Sequence, residues 1–353
     1  MKKMIILTVV AIFSIAVSVH ARDEYVFGDS RQFDGNAVRS IRIDMPSGNI
    51  KIEKSTGSQV ELEFKNVIYA RNKGDAEDLN NRCVTEAEMV GDRLEITIDT
   101  PHNHNRDFLD RLFSGNWNVD IDIYLRLSIP DGRSVEIEAS STDVEVSALA
   151  VDLDIRGASS DVEISDTDGE VICDLASGDV DILQQKGNVS VTGKSSDVRM
   201  SGVTGNIDIR TSSGDGRLED ISGAVSVSTS SGDYRIFNIG RDLDIRTTSG
   251  DIYVDGINGS LRAESTSGDV RLNALSANQG DFEVDTVSGD VSIEISPDFA
   301  GRLSLRSSSG DINSQITGNI EAISDTKLIA SVGEGRGNLK VVTTSGDIRV
   351  ARY

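Results

Sequence analysis

Eleven aspartates recur from residue 143 onward at a spacing that lines them up for chemistry. Asp143, Asp161, Asp179, Asp197, Asp215, Asp233, Asp251 and Asp269 follow one another every 18 residues; Asp290 and Asp311 follow at spacings of 21, and Asp347 at 36. Each ends a Ser-Gly-Asp, Ser-Ser-Asp or Ser-Thr-Asp triplet. Stacked carboxylates about 4.8 Å apart repel by about 1 kcal/mol in water, and cations would relieve that. Calcium-binding β-rolls, however, use a Gly-Gly-x-Gly-x-Asp nonapeptide, whereas here one aspartate beside a serine serves 18 residues. The expected role is therefore structural, each side chain satisfying the amides of its own turn, and no metal site is assigned. Two residues on, Arg199, Arg217, Arg235, Arg271 and Arg349 share one equivalent position, preceded there by Glu145, Glu163 and Asp181. On an acidic protein such a stripe would either pair with neighbouring aspartates or grip an anionic glycan or acidic partner. Arg199, Arg217, Arg235 and Arg271 are the candidate binding residues.

Other reactive residues are few. His102 and His104 stand in a polar stretch with no third ligand at metal-binding spacing. Cys83 and Cys173 could pair in an oxidising compartment, but Cys173 falls at the inward position held later by Val191 and Ile209 and reads as a small buried residue. A Ser-His-Asp triad would have to draw on one of those two histidines. No phosphate loop, Gly-x-Ser-x-Gly elbow or His-Glu-x-x-His is present. The repeats carry few aromatics, which weakens a sugar-cleaving groove, and no cofactor is implied. The sequence reads as that of a non-enzyme.

The elements that position the aspartates follow from the same period. After each aspartate, apolar residues alternate with polar ones: Val180 and Ile182, Val198 and Met200, Ile252 and Val254. Midway through the period comes a glycine, one residue, then an aliphatic, as in Gly187-Asn188-Val189 and Gly205-Asn206-Ile207. Each period thus holds two short strands and two turns, every strand with one buried face. One period cannot bury that face alone, but stacked periods can. The predicted fold is all-β, a single-stranded parallel β-solenoid (β-helix) with about 18 residues per rung. Aliphatic stacking suits 5% aromatic content, and a continuous ladder suits only 4 prolines. The double spacing before Asp347 predicts one degenerate rung around residues 325–333.

Residues 22–131 read as an irregular β region that caps the solenoid of residues 132–353, because an open end would expose ladder edges. Pro46-Ser47-Gly48-Asn49-Ile50 is a variant of the repeat within it. Insertions at about 69–89 and 102–117 interrupt the cap, the second reading as a short amphipathic helix through Phe108, Leu109, Leu112, Phe113 and Trp117. Residues 1–21 read as a signal peptide: Lys2 and Lys3, an apolar run over 4–19, and Val19-His20-Ala21 before the cut. The run is shorter than the ~20 residues a bilayer span needs. Cleavage removes two lysines and takes the net charge from −23 to −25, a balance unsuited to nucleic acid.

The Ser-Gly-Asp-[Val/Ile] repeats, with the Ile121-Asp122-Ile123-Tyr124-Leu125-Arg126-Leu127-Ser128-Ile129-Pro130 run leading into them, resemble the bacterial putative-adhesin family of exported β-strand-repeat proteins. The resemblance spans residues 40–353 and implies a β-solenoid. That family has no agreed activity, so no site residue is carried over. The expected function is that of a non-catalytic envelope or surface protein, in the periplasm, at the cell surface or secreted, binding a protein or glycan through its side-chain ladders. The alternatives are a scaffolding rod without a specific ligand and, less favoured, a polysaccharide-cleaving β-helix.

Overall fold

A computed structural model describes residues 23–100, 120–275 and 280–352. The expected signal peptide, His102, His104 and the expected helix over Phe108–Trp117 lie outside the described residues. The chain forms two compact units, Met1–Glu170 and Val171–Tyr353. Both are built almost wholly of strands, with one short helix among the described residues.

In the first unit the strand Ser40–Lys54 is a complete coil, as its repeat-like sequence predicts. Its Gly48 pairs in parallel with Thr142 and its Asn49 with Asp143 of the strand Arg133–Ser147. Its other edge takes Arg93–Asp99 along the first half and Asp120–Ile129 along the second. The coil that comes first in sequence is thus second in space. Beyond it the ladder turns antiparallel: Gln59–Ala70 lies on Asp120–Ile129, Asp23–Asp34 on Gln59–Ala70, and Val84–Val90 on Arg93–Asp99. A parallel coil here would leave another open edge, which the antiparallel strands blunt. The first insertion contains a helix the sequence reading did not foresee, Lys73–Asn80. Asn72 caps it by accepting the Asp75 amide at 3.0 Å, and Ala76 seats it on Ile68 and Ala70.

The second unit is the regular solenoid. Each coil has a leading strand before the aspartate, such as Ile207–Ser213, and a trailing strand after it, such as Gly216–Ile221. Equivalent residues pair one coil apart, Ile207 with Val225 and Leu243 with Leu261. Inward Val, Ile and Leu are at most a few per cent exposed, each worth about 1.5–3 kcal/mol when fully buried. Cys173 and Tyr234 point inward as expected, each 1% exposed. The corner needs glycine: Gly232 has φ +144°, and a Cβ there would lie 2.0 Å from the Gly214 carbonyl oxygen. A feature the pattern did not announce is a buried file of hydroxyls at the end of the leading strands, Thr211, Thr229, Thr247, Ser265 and Thr286.

At the far end of this unit the order of stacking departs from the order of the chain, and one expectation is corrected. The coil Gly337–Ser345 with Ile348–Arg352 does not stack last. It pairs with Asp281–Ser288 and Val291–Ile295 on one side and with Gly301–Ser307 and Ile312–Ser314 on the other. Residues 325–333 are not a degenerate rung either. Lys327–Val332 runs antiparallel to Gly301–Ser307, and Asn319–Ser324 runs antiparallel to Lys327–Val332. The stretch lacks the Ser-Gly-Asp corner that turns a coil, and its Leu328, Ala330 and Val332 supply one buried face to a hairpin instead.

Candidate arginine and aromatic face

The aspartate file is a hydrogen-bonded ladder. The amide of Asp215 donates to Asp197 Oδ1 at 2.8 Å, that of Asp233 to Asp215 at 2.9 Å, that of Asp251 to Asp233 at 2.8 Å and that of Asp269 to Asp251 at 2.8 Å. The file continues from Asp269 to Asp290, then Asp347, then Asp311, and in the first unit Asp161 donates to Asp143. Each carboxylate thus serves the next coil's amide rather than one in its own turn, because stacking brings that amide closer. No group of three His, Cys, Asp or Glu side chains suited to a metal occurs among the described residues.

The trailing strands place the arginines. Register aligns Asp181, Arg199, Arg217, Arg235, Tyr253 and Arg271 in one outward row. Arg349 shares the position but pairs with Ser292 and Asn313, so a coil separates it from Arg271. The row is not uniform. Arg199 meets Asp179 at 3.2 Å, Asp181 at 3.5 Å and Asp197 at 3.6 Å, and the Asp179 hydrogen bond leads in raising its pKa. Arg217 pairs with Glu219 at 3.0 Å, and Arg271 with Asp269 at 3.4 Å. Arg235, exposed between Arg217 and Tyr253, has no ion-pair partner among the described residues.

Beside it lies an aromatic pair that the sequence reading counted without joining. Phe237 and Tyr253 belong to successive coils, and their ring centroids are 5.6 Å apart at 49°. The Arg217 guanidinium sits 4.7 Å above the Phe237 ring. Asn273 Nδ2 donates to the Tyr253 hydroxyl at 2.8 Å, which donates to Asp255 at 3.4 Å. Desolvation, with Asp255 adding to it, raises the Tyr253 pKa, so the phenol stays neutral and keeps its proton to donate. Tyr234, Phe282 and Phe299 are buried; Phe237 and Tyr253 are the aromatics among the described residues of this unit that are not. Writing the sequence in rows of 18 would have set them in adjacent rows, two columns apart.

Both cysteines are thiols. Burial, then Asp99, pushes the Cys83 thiol up to about 11, so it is protonated and a poor nucleophile at neutral pH.

A family model described as Toastrack DUF4097 matches residues 38–242 and 239–351. The chain belongs to the Toastrack DUF4097 family. Its Ser-Gly-Asp coils are thus Toastrack coils, as the resemblance to exported strand-repeat proteins implied. No functionally curated protein matches it. Solved structures similar to it include a putative cell adhesion protein from Clostridium sporogenes, 8% identical over 92% of this chain and 99% of that one, TM-score 0.22. Others are a putative adhesin from Bacteroides fragilis, 15% identical over 92% and 97%, TM-score 0.24, and a putative lipid binding protein from Parabacteroides distasonis, 11% identical over 92% and 96%, TM-score 0.30. Scores at this level carry no argument about what the Toastrack coils bind.

Proposed function

We propose that this is a non-catalytic, exported envelope protein that binds an anionic partner through the trailing-strand face of its second unit. The observation that carries the reading is Arg235, an exposed guanidinium with no ion-pair partner among the described residues, set between a second arginine and a tyrosine. A net charge of −23 repels anions at long range, but screening over about 8 Å at physiological salt leaves the local arginines in control at contact. Export rests on Lys2, Lys3 and the apolar run over residues 4–19.

The test combines fractionation with binding. Labelled protein is expected to bind anionic envelope extract saturably and more weakly as salt rises, and Arg217→Glu with Arg235→Glu is expected to abolish that binding. Saturable binding that survives the double substitution overturns the site. Retention of the full-length chain in the cytoplasm overturns the location.

A further inference from the structure

Resting on that reading, the geometry points to its ligand: we infer that Phe237, Tyr253 and Arg235 form a subsite for a carboxylated sugar, of the uronic- or sialic-acid type. Three features converge. The half-buried ring pair, tilted at 49°, offers an angled apolar surface, against which the C–H face of a pyranose can lie. Arg235 stands one strand from Tyr253 in the same row, and its planar fork suits a carboxylate bidentately. Asn273, the Tyr253 hydroxyl and Asp255 form a hydrogen-bonded chain at the edge of the rings, which supplies donors and acceptors for sugar hydroxyls.

The rings are not needed to build a coil. The positions equivalent to Phe237 hold Ser201, Glu219, Asp255 and Asn273, and those equivalent to Tyr253 hold Asp181, arginines or Ser292. An acidic peptide fits this face less well. Peptides commonly add a strand to an open sheet edge, and here each trailing strand is already paired on both sides: Tyr234–Ile239 with Gly216–Ile221 and Ile252–Ile257, and Ile252–Ile257 also with Val270–Leu275. A fully paired sheet face with rings, one fork and amide and hydroxyl groups matches a sugar better than a chain seeking backbone partners.

The experiment titrates the full chain with oligogalacturonate, oligosialic acid, methyl-esterified oligogalacturonate and poly-glutamate. At least one carboxylated oligosaccharide is expected to bind saturably. Esterification of the uronide, or Arg235→Gln, is expected to weaken that binding about tenfold or more. Phe237→Ser with Tyr253→Ser, residues that other coils carry at these positions, is expected to do the same with the melting temperature held within about 2 °C. Should the ring variant unfold, Arg235→Gln still decides. Sugar binding indifferent to the rings and to Arg235 overturns the subsite. Poly-glutamate binding alone also overturns it, and leaves the anionic-partner reading standing. No binding by any probe, together with none to envelope extract, overturns both.

Discussion

The leading and trailing strands of the second unit share the same coils, the same parallel register and the same aliphatic interior, yet their outer faces differ. On the four leading strands that carry Arg246, Arg262, Glu283 and Lys340 the charges neutralise one another along a chain. Arg246 meets Asp244 at 2.7 Å and Glu264 at 3.3 Å; Arg262 meets Glu264 at 2.5 Å and Glu283 at 3.8 Å; Lys340 closes on Glu283 at 2.5 Å. On the trailing face Arg199 is held by three aspartates, Arg217 leans on a ring, and Arg235 stands apart. Within these coils the leading strands pair their cations while the trailing strands leave Arg235 without an ion-pair partner among the described residues, and a charge with no internal counterpart is available for an external one.

The largest expected effect breaks the shared interior on the trailing side alone. Gly216 leaves room for Tyr234, since a Cβ there would lie 2.1 Å from that ring. Gly216→Val should cost about 2–3 kcal/mol in denaturant unfolding of the full chain. Tyr234→Val in the same molecule should recover most of it, because Val198 and Val270 occupy the same column.

The next contrast is between faces. Arg235→Glu should weaken binding to the anionic partner about tenfold or more, whereas Arg246→Glu on the leading face should change it less than about twofold. Equal losses would erase the distinction and make the binding a matter of net charge.

The corner joining the faces gives a smaller effect. Asp233→Ala removes the acceptor for the Asp251 amide and should cost about 0.5–1 kcal/mol, while Asp233→Asn keeps a carbonyl acceptor and should cost less. Adding calcium or a chelator should leave the melting temperature of both proteins unchanged; a shift would make the file a cation site.

The smallest effect sharpens the leading face. Desolvation raises the pKa of Asp285 above its ordinary 3.8, Lys340 opposing. The Lys340 hydrogen bond lowers Glu283 below its ordinary 4.5. A raised carboxylate favours the folded state while protonated, and that contribution is lost as pH rises from 3.8 through the raised value. A lowered one stabilises above 4.5, and its contribution is lost as pH falls through the lowered value. Asp285→Asn should therefore raise the melting temperature at pH 7 by about 1 °C and leave it unchanged well below pH 3.8. Glu283→Gln should lower it at pH 7 and have little effect in strong acid.

The coils were legible because their code is local. Alternation placed Val198, Met200 and Ile252 inside, the 18-residue period set the register, and Gly48-Asn49 announced a coil ahead of the main array. The order of stacking was not legible: Ser-Gly-Asp coils are chemically interchangeable, so nothing around Ser345-Gly346-Asp347 says which coils that corner joins. The hairpin of Asn319–Ser324 and Lys327–Val332 escaped because an apolar alternation serves antiparallel pairing as well as parallel. Of the candidate site, the period alone gives Arg199, Arg217 and Arg235 one shared position, and the register sets them in adjacent coils. What separates Arg235 from Arg199 depends on which acids lie one coil away, and that emerged only once the strands were in place.

One feature of the topology bears on how the chain comes together. Gly301–Ser307 finds its parallel neighbour in Gly337–Ser345, a segment that follows it in the chain, and Ser40–Lys54 likewise waits for strands from residue 93 onward. Neither array can therefore zip up in simple order from its amino end. Each holds a berth open for a late arrival, and that latecomer works as a keystone: withdrawing residues 337–352 should release the earlier coil and the hairpin resting on it in a single step.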